Sequence, residues 1–581
     1  MYVLGLSAIN HDSSAALVGD DGVIAAIEEG KMSRTRSASG IPSAAIRFCL
    51  DRAGISWSEV QNIAVAASFP SRERPSHPFS ESPLIGAHDQ SLEHALHDLE
   101  SLLSSGRIGR SSGAENRIQE FDHHLCHAAS AFYPSPFDRA LILTLDEMGD
   151  GKSGAVAIGE GTSICPLRTF KFPNSLGWLF SQVTRLIGFR PHEDEHKTQW
   201  LSLTGKAELA DLFMDVIRAG SGATLRLNRQ FYHRSSEGIT SLSPEFYRRI
   251  GISGPDDRLP ESVRVSLAAS LQQACANVTT QLLRQLREKH KISALCVAGG
   301  VFLNPLLVES VEHESGFEKV FVQLAAGNEG TALGAAWLVQ HQEHGQPRRT
   351  DAAFPYWGPS FSSEEIKQVL DNCKATYRWM ASEPHKMDET VRLLLTGRIV
   401  AWYQGATEFG PRALGNRSLL ASPWAPYVKE NLNDFVKHRE SYRPFALSVP
   451  EEDCGRYFEC SDAGRVMATM GHVRESVHDL FTGLILPGDR VRVHIVTRQA
   501  NPLYWKLLKK FGEHGPAPVL VNTSFNLFGE PLVVAPRDAI RSFYCSGTDA
   551  LMMGDFLLTK STAQAFLEGA PAGQDERWAR A

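Results

Sequence analysis

Residues 139–159 read RALILTLDEMGDGKSGAVAIG, and their pattern decides which class of fold we predict. The apolar runs ALILTLD and SGAVAIG flank a glycine-rich turn at 147–152, which predicts a strand, a tight turn and a second strand. The same design occurs at the amino terminus, where YVLGLSAI and AALV flank the polar segment NHDSS, before the hairpin signal GDDG and VIAAIEE. Two such β-turn-β units in one chain predict an internally duplicated α/β domain.

A change of composition at 340–362, a proline-rich and mixed-charge stretch, predicts a domain boundary. We place a first domain at 1–345, a linker at 346–362, a second α/β domain at 363–570 and a flexible tail at 571–581. Within the first domain, the loop-rich stretch 69–117 is predicted to be an insertion. In the second, IVAWYQG, RPFALSV and APVLVNTSF have the pattern of strands.

The bulk composition is that of a soluble globular protein, with 43% hydrophobic and 22% charged residues and a mean hydropathy of −0.20. A net charge of −7 gives no general support for binding nucleic acid. Nine scattered cysteines without a CxxC pair suit a reducing compartment. The amino terminus lacks a signal-peptide pattern, and the longest apolar stretch is too short to span a bilayer. We therefore expect a cytoplasmic protein with neither a nucleic-acid nor a membrane partner.

Three histidines lie close together in FDHHLCHAASAFYP, residues 121–134. In a helix, His123 and His127 share a face because they are four residues apart, whereas His124 points elsewhere. Asp146, at the end of the next predicted strand, could add an oxygen ligand. Two imidazoles and a carboxylate suit Fe(II), Mn(II) or Zn(II). The alternative is that these are ordinary surface or capping histidines.

Glycine-rich turns form the second group of candidate residues. LDEMGDGKSG and AGGVFLN offer free backbone N–H groups and close approach, which phosphate oxygens require. Together with the GNEG helix start, they predict a nucleotide held between two subdomains, although simple turns would explain each one alone. The candidate nucleotide-binding residues are Gly149, Asp150, Gly299, Gly300, Asn304 and Asn328.

Cationic residues near strand ends form the third group, in the second half of the chain. Because they lie beside glycine, proline and apolar runs rather than on a polar helix face, they predict an anion pocket. The alternative is that each one is simply solvated. The residues are Arg412, Arg417, Lys437, Arg439, Arg443, Arg492 and Arg498, followed by Ser524 and Asn526 after an apolar strand.

Taken together, these residues resemble the O-carbamoyltransferases of the NodU/CmcH family, which modify antibiotics, other natural products and nodulation signals. The likeness extends along nearly the whole chain. Its motifs are GLSAINHDSSAALV, HHLCHAASAF, DEHKTQWLSLTG, AGGVFLN, GPRALGNRS, KHRE.YRPFA (437–446) and VNTSFN. The resemblance implies that the first domain is ASKHA-type, a duplicated actin-like ATPase fold. It also implies that the second is YrdC-like, with matching KxR and SxN patterns.

The resemblance also implies the reaction. Carbamoyl phosphate and ATP would give carbamoyl-adenylate and pyrophosphate, and a hydroxyl of a small natural-product acceptor would then displace AMP. Carbamoyl phosphate would be bound by Arg412, Lys437, Arg439, Arg492, Ser524 and Asn526. Of these, Lys437 and Arg492 are expected to act in catalysis. We take His11 as the candidate base for the acceptor hydroxyl, because imidazole titrates near neutral pH; the alternative is a hairpin hydrogen bond.

Two positions depart from the family pattern. Asn328 stands where the family commonly has an aspartate that ligates the metal, and Glu329 follows it. An amide oxygen can still coordinate a metal but brings no charge. His494 stands where a glutamine is usual. The implied cofactors are ATP, accompanied by Mg²⁺, and a divalent metal held by His123, His127, Asp146 and Asn328, with Fe(II) favoured.

Other functions remain open at this stage. A related enzyme could transfer the carbamoyl group to tRNA or to a protein cysteine, and a non-catalytic scaffold could bind nucleotide and metal alone. The acidic pI of about 6.3 disfavours tRNA, and the absence of paired-cysteine motifs disfavours the protein-modifying reaction. The resemblance is also compatible with a homodimer. The identity of the acceptor does not follow from these residues.

Overall fold

The fold is that of a computed structural model, which describes residues 1–8, 11–66, 118–235, 238–349, 354–527 and 529–560. The predicted insertion at 69–117 and the predicted tail at 571–581 lie outside the described residues. We call residues up to 349 the front half and those from 354 the back half.

The strands of the front half are β1 Val3–Ser7, β2 Ser14–Gly19, β3 Gly22–Glu28, β4 Asn62–Ala66, β5 Ile118–Phe121, β6 Arg139–Gly149, β7 Lys152–Glu160, β8 Ser163–Lys171, β9 Ile217–Gly220, β10 Thr224–Leu227, β11 Tyr232–Ser235, β12 Gly238–Leu242, β13 Ala294–Ala298 and β14 Lys319–Val322. Its helices are Glu29–Ser33, Ser43–Ala53, His123–Phe132, Leu176–Leu186, Glu195–Leu201, Ala210–Val216, Pro244–Arg249, Glu261–His290, Pro305–Glu314 and Thr331–Trp337.

The strands of the back half are β15 Arg378–Trp379, β16 Val400–Tyr403, β17 Arg417–Ala421, β18 Ala446–Pro450, β19 Phe458–Glu459, β20 Gly471–Val473, β21 Arg490–Val496, β22 Leu520–Ser524, β23 Ala550–Met553 and β24 Phe556–Thr559. Its helices are Ser363–Asn372, Glu383–Leu395, Val428–Glu430, Glu451–Tyr457, Pro502–His514 and Pro536–Tyr544, with a π-helical segment at Asn431–Lys437.

Two five-stranded sheets of the front half share one topology. The first has the order β3-β2-β1-β4-β5, and the second has the order β8-β7-β6-β13-β14. In each sheet the first three strands along the chain pair antiparallel, and two further strands add in parallel. The α/β class is therefore confirmed, and the repeated order agrees with the internal duplication predicted from the two β-turn-β units.

Small residues allow the helices between these two sheets to pack closely. The helices His123–Phe132 and Thr331–Trp337 share a buried core with both sheets. A Cβ placed on Gly334 would lie 1.9 Å from the carbonyl oxygen of Cys126, and one on Gly5 would lie 1.9 Å from that of Ala332. The run of small residues that follows the histidines therefore has a packing role, since larger side chains would separate the two sheets.

The back half is built on a single mixed sheet of ten strands. Their order is β15-β24-β23-β16-β17-β22-β18-β21-β20-β19, with apolar clusters on both faces. The central strand β22 ends at Ser524, beside the start of β17. Since central strands are paired on both sides, their ends provide well-fixed positions for a binding site.

Polar contacts join the two halves at several places, including two groups that involve buried charged residues of the front half. Lys31 donates to the carbonyl oxygens of Glu408 and Gly410, at 2.8 and 2.7 Å, while Glu28 accepts from the amide of Gly410 at 2.8 Å. In the other group, Glu309 accepts from Arg490 at 2.8 Å and pairs with a histidine of β20. Residues 354–359, at the start of the back half, also form backbone hydrogen bonds with β3 of the front half and with residues 407–409.

Among the described residues, no helix has both the length and the apolar character needed to cross a bilayer.

Candidate active site

A buried helix start brings the two predicted metal-binding histidines together. The helix begins at His123, and the side chain of Asp122 caps it by accepting a hydrogen bond from the amide of Leu125 at 3.0 Å. Asp150 accepts from the amide of His123 at 2.8 Å, which ties the helix to the β6–β7 turn. His123 and His127 are both buried, so they are not surface histidines.

Three nitrogen and oxygen atoms converge at this helix. The Nε2 atoms of His123 and His127 lie 3.1 Å apart, and Asp146 Oδ2 lies 3.3 and 3.1 Å from them. Donors at about 2.1 Å from one metal ion are separated by about 3 Å, so this triangle fits a single divalent ion. We call His123, His127 and Asp146 the His–His–Asp cluster; His124 is outside it and bonds Thr144 instead, at 3.1 Å.

The electrostatics of the cluster also favour a cation. Burial alone would raise the pKa of Asp146, but hydrogen bonds from His123 and His127 hold it well below its usual value. Burial lowers the pKa of His127, despite its hydrogen bond to Asp146. An ionised carboxylate beside a neutral imidazole is the protonation state in which these groups ligate metals.

The predicted nucleotide residues divide into two sets. Gly300 and Asn304 line the central cavity described below, whereas Gly149, Asp150, Gly299 and Asn328 do not line it. Gly299 has a φ of +99°, and a Cβ there would lie 2.1 Å from the carbonyl oxygen of Leu145, so only glycine fits. The Oδ1 atom of Asn304 caps the helix Pro305–Glu314 by accepting from two amides at 3.1 Å. Gly149 packs against the His123 ring, since a Cβ there would lie 2.1 Å from it.

Asn328 lies beside His11 and forms a hydrogen bond with its backbone. Its Nδ2 donates to the carbonyl oxygen of His11 at 3.1 Å. The neighbouring Glu329 is buried, and burial together with Asp12 and Glu28 raises its pKa to about 8. Because Glu329 holds its proton at neutral pH, it does not replace the missing aspartate charge.

His11 is held as a cation. Its Nδ1 lies 2.7 Å from Asp12 Oδ2, and although burial opposes the charge, Asp12, Asp146 and Glu147 raise its pKa to about 9. A general base must be deprotonated before it can accept a proton. The predicted base role of His11 therefore stays a prediction, and at neutral pH its ring is a proton donor in this environment.

Lys437, at the end of the π-helical segment, is buried between the ends of two other elements. Its Nζ donates to the carbonyl oxygens of Ser524 and Asn526, at 2.7 and 3.1 Å, and to Asn526 Oδ1 at 2.5 Å. Burial and the nearby Arg439 hold the pKa of this ammonium well below its usual value. The predicted KxR and SxN residues thus meet in one place.

Four arginines face the same space. Arg412 donates to the carbonyl oxygen of Leu303 at 3.0 Å, and Arg492 donates to that of Met467 at 3.2 Å. Burial and mutual repulsion lower the pKa of Arg412 to about 10 and that of Arg439 to about 9. Among the four, Arg443 has a carboxylate partner within the described residues, Glu440 at 3.5 Å. Buried guanidinium groups with mostly neutral partners create a strong preference for an anion.

Two predicted pocket cations lie elsewhere. Arg417 is fully buried, with its guanidinium 3.7 Å from the centre of the Tyr403 ring and bonded to the carbonyl oxygen of Gln404. Arg498 stacks over Trp505 at 5.4 Å. Neither residue lines the cavity, so the prediction that they belong to the anion pocket was wrong. Arg417 is the first residue of β17 and Arg498 comes shortly after the end of β21, and both side chains pack elsewhere in the back half.

One cavity of about 550 Å³ connects the two groups of residues. Its front wall includes His11, Asp146 and Gly300, and its back wall includes the four arginines, Ser524 and Asn526. The cation pocket and Asp146 of the His–His–Asp cluster therefore face a shared space of the size that small-molecule sites have, while His123 and His127 are buried behind Asp146 and do not line it.

The motif DEHKTQWLSLTG supplies site residues that we did not predict individually. His196 lines the cavity, and burial together with Arg443 and Arg412 holds its pKa well below the usual value. Lys197 pairs with Glu440 of the back half at 3.2 Å. The sequence contains only a weak signal for a site at these two residues, because groups that they contact come from the other half of the chain.

These features define the class of protein: an α/β protein in which buried cations of the back half and a carboxylate of the His–His–Asp cluster face one cavity. Comparison with known proteins identifies the family. Residues 2–74 and 99–337 match the model of the carbamoyltransferase N-terminus, and residues 391–560 match that of the carbamoyltransferase C-terminus. The chain belongs to the carbamoyltransferase family, and it is an enzyme of that kind.

Individual relatives agree with this family. The nodulation protein NolNO of Sinorhizobium fredii is 33% identical over 95% of this chain and 79% of its own length. An uncharacterised protein of Synechocystis, sll1178, is 34% identical over 99% of this chain and 98% of its own length. The 3'-hydroxymethylcephem-O-carbamoyltransferase of Amycolatopsis lactamdurans is 33% identical over 50% of this chain and 52% of its own.

Proposed function

We propose that this carbamoyltransferase activates carbamoyl phosphate with ATP and passes the carbamoyl group to a hydroxyl of a small natural-product acceptor. In balance, carbamoyl phosphate, ATP, the alcohol and one water, which is consumed when carbamoyl phosphate loses its phosphate, give the O-carbamate, AMP, pyrophosphate and phosphate. The observation that carries this proposal is the shared cavity, which joins a buried cation pocket to the His–His–Asp cluster and the glycine turns. On this proposal the front half has the ASKHA-type role and the back half the YrdC-like one.

In the back half, the cation pocket binds carbamoyl phosphate. Arg412, Arg439 and Arg492 form charge-assisted hydrogen bonds to its phosphate, which stabilise the leaving dianion. Ser524 and Asn526, which Lys437 holds in place, orient the carbamoyl end. Free carbamate decomposes in water, so passage through a single cavity limits its exposure to solvent before it reaches the α-phosphate of ATP.

In the front half, the glycine turns provide close approach for the nucleotide. His123, His127 and Asp146, together with the amide oxygen of Asn328, would hold a divalent metal, with Fe(II) favoured over Mn(II) or Zn(II). When bound, such an ion supplies a Lewis acid for nucleotide oxygens. On this proposal the deprotonated form of His11, which lines the cavity beside this cluster, accepts the proton of the acceptor hydroxyl.

The size of the cavity favours a small acceptor over a macromolecule. About 550 Å³ suits a carbamoyl donor and a compact alcohol, whereas a folded RNA or protein would need an extended surface. Membership of an enzyme family disfavours the scaffold alternative.

The test is to incubate the full chain with ATP, carbamoyl phosphate and a panel of hydroxylated metabolites, measuring AMP release and carbamoylated products by mass spectrometry. Lys437→Met should lower AMP release about 100-fold, because Ser524 and Asn526 lose the ammonium group that holds them in place. The control is Lys506→Met, which removes an exposed lysine paired with Glu383 at 2.7 Å and should change nothing. Unchanged AMP release in Lys437→Met would reject the pocket assignment.

A further inference from the structure

A second cleft lies on the front half, away from the central cavity. It has a volume of about 590 Å³ and lies between the edge strand β8 and the segment 224–232, which contains β10. It shares no lining residue with the central cavity. We call it the basic cleft, because its charged lining residues are Arg168, Lys171, Arg226 and Arg229.

The charge of the basic cleft is not balanced by nearby acids. No aspartate or glutamate of the described chain is among the residues that line it, although the whole protein carries a net charge of −7. None of the four cationic side chains forms an ion pair or a hydrogen bond with a described residue. By contrast, the nearby Arg248 and Arg249 pair with Glu245 and Asp215, at 2.7 and 3.4 Å. Four like charges around one concavity repel each other, and an anionic ligand would relieve that repulsion.

The walls of the basic cleft are held together by hydrogen bonds between side chains and backbone. Asn174 Oδ1 accepts from the amide of Leu227 at 2.9 Å, and the carbonyl oxygen of Asn174 accepts from Ser153 at 2.6 Å. Because these bonds connect the two walls to the second sheet, the backbone positions that carry the cations are fixed before a ligand arrives. A preorganised cationic site loses less entropy on binding than a flexible one.

We propose that the basic cleft binds a small ligand that carries two or more phosphate or sulfate groups. Guanidinium groups match these oxyanions in two-point hydrogen bonding, and Thr169, Thr224 and Tyr232 add hydroxyl donors. The concave shape and limited volume favour a small polyanion over a nucleic acid, which needs an extended basic track. This proposal does not depend on carbamoyl transfer, since none of its residues belongs to that site.

The test is calorimetric titration of the full chain with inorganic tripolyphosphate at low ionic strength. The wild type should show two sites, because the central cavity is also cationic. The double variant Arg168→Gln/Arg226→Gln should lose one site or bind there about tenfold more weakly or worse, since two charge-assisted contacts disappear. Arg439→Gln should weaken the other site and leave this one intact.

The matched control is Arg248→Gln/Arg249→Gln, which removes the same charge from an exposed helix and should retain both sites. All four substitutions replace exposed or half-buried residues, so melting temperatures should stay close to that of the wild type. An unchanged titration of the cleft variant would overturn the proposal. An equal loss in the control variant would also overturn it, because net charge alone would then explain the binding. Inorganic phosphate binding there as tightly as tripolyphosphate would rule out a site for multiple anionic groups.

Discussion

His494 should make the back half sensitive to acid, and His494→Gln should remove that sensitivity. The ring is fully buried in strand β21, where Nδ1 lies 2.9 Å from Ser448 Oγ and 3.3 Å from Asn522 Nδ2. Burial lowers its pKa from 6.5 to about 3. Glutamine, which the resemblance leads us to expect at this position, offers an oxygen acceptor without a titrating group.

The sign and size of the effect of His494 on stability follow from the difference in proton binding between the folded and the unfolded chain. Because the folded pKa is below the unfolded one, the unfolded chain binds more protons between pH 6.5 and about 3. The stabilisation by the neutral ring is therefore complete above pH 6.5 and is lost as the pH falls through this range. At pH 5 the free energy of unfolding should be about 2 kcal/mol lower. The pH is then 1.5 units below 6.5, and each unit costs about 1.4 kcal/mol while the folded ring stays neutral.

The assay compares melting temperatures at pH 7.5 and pH 5 by scanning calorimetry. The wild type should lose about 4–8 °C more than His494→Gln between these pH values, for a unit of the size of the back half. The exposed His514 provides the control, since His514→Gln should behave like the wild type. Equal losses in the wild type and His494→Gln would refute the reasoning, because the buried ring would then not be the source of acid sensitivity.

Three further outcomes are expected. His123→Ala should lower the bound metal measured by elemental analysis, and unchanged metal content would exclude the ligand role. Asn328→Asp should tighten metal binding about tenfold in a chelator competition, since it adds a charge beside the cluster; weaker or equal binding would place residue 328 outside the coordination sphere. Glu440→Gln should raise the KM for carbamoyl phosphate more than it lowers kcat, because Lys197 and Arg443 lose the carboxylate that positions them; a pure kcat effect would contradict this.

Local patterns made the architecture predictable. The alternation around a glycine turn at 147–152 depends on neighbouring residues, and so does the four-residue spacing of His123 and His127. The fate of Arg417 did not follow from sequence, although it lies in the same motif as Arg412. One residue enters the cavity and the other packs on Tyr403, because the chain enters strand β17 between them.

The charge states were the least predictable part of the site. Histidine usually titrates near neutrality, which suggested a base at residue 11, but the adjacent Asp12 and the distant pair Asp146 and Glu147 together stabilise the cation of that ring. His196 has the opposite surroundings, since burial and, after it, arginines from the back half hold its pKa well below the usual value. Such differences arise from residues far apart in the chain, and local sequence does not contain them.

The contacts of Lys31 and Arg34 with the back half bear on whether a half of this chain can be replaced by the corresponding half of a relative. Lys31 bonds the carbonyl oxygens of residues 408 and 410, and Arg34 bonds those of 531 and 532. Every amino acid carries that oxygen, so these particular contacts tolerate changes in the side chains opposite them. Hybrid proteins that combine halves from different relatives should therefore keep these contacts, whereas the pair Lys197–Glu440 requires matched side chains on the two halves.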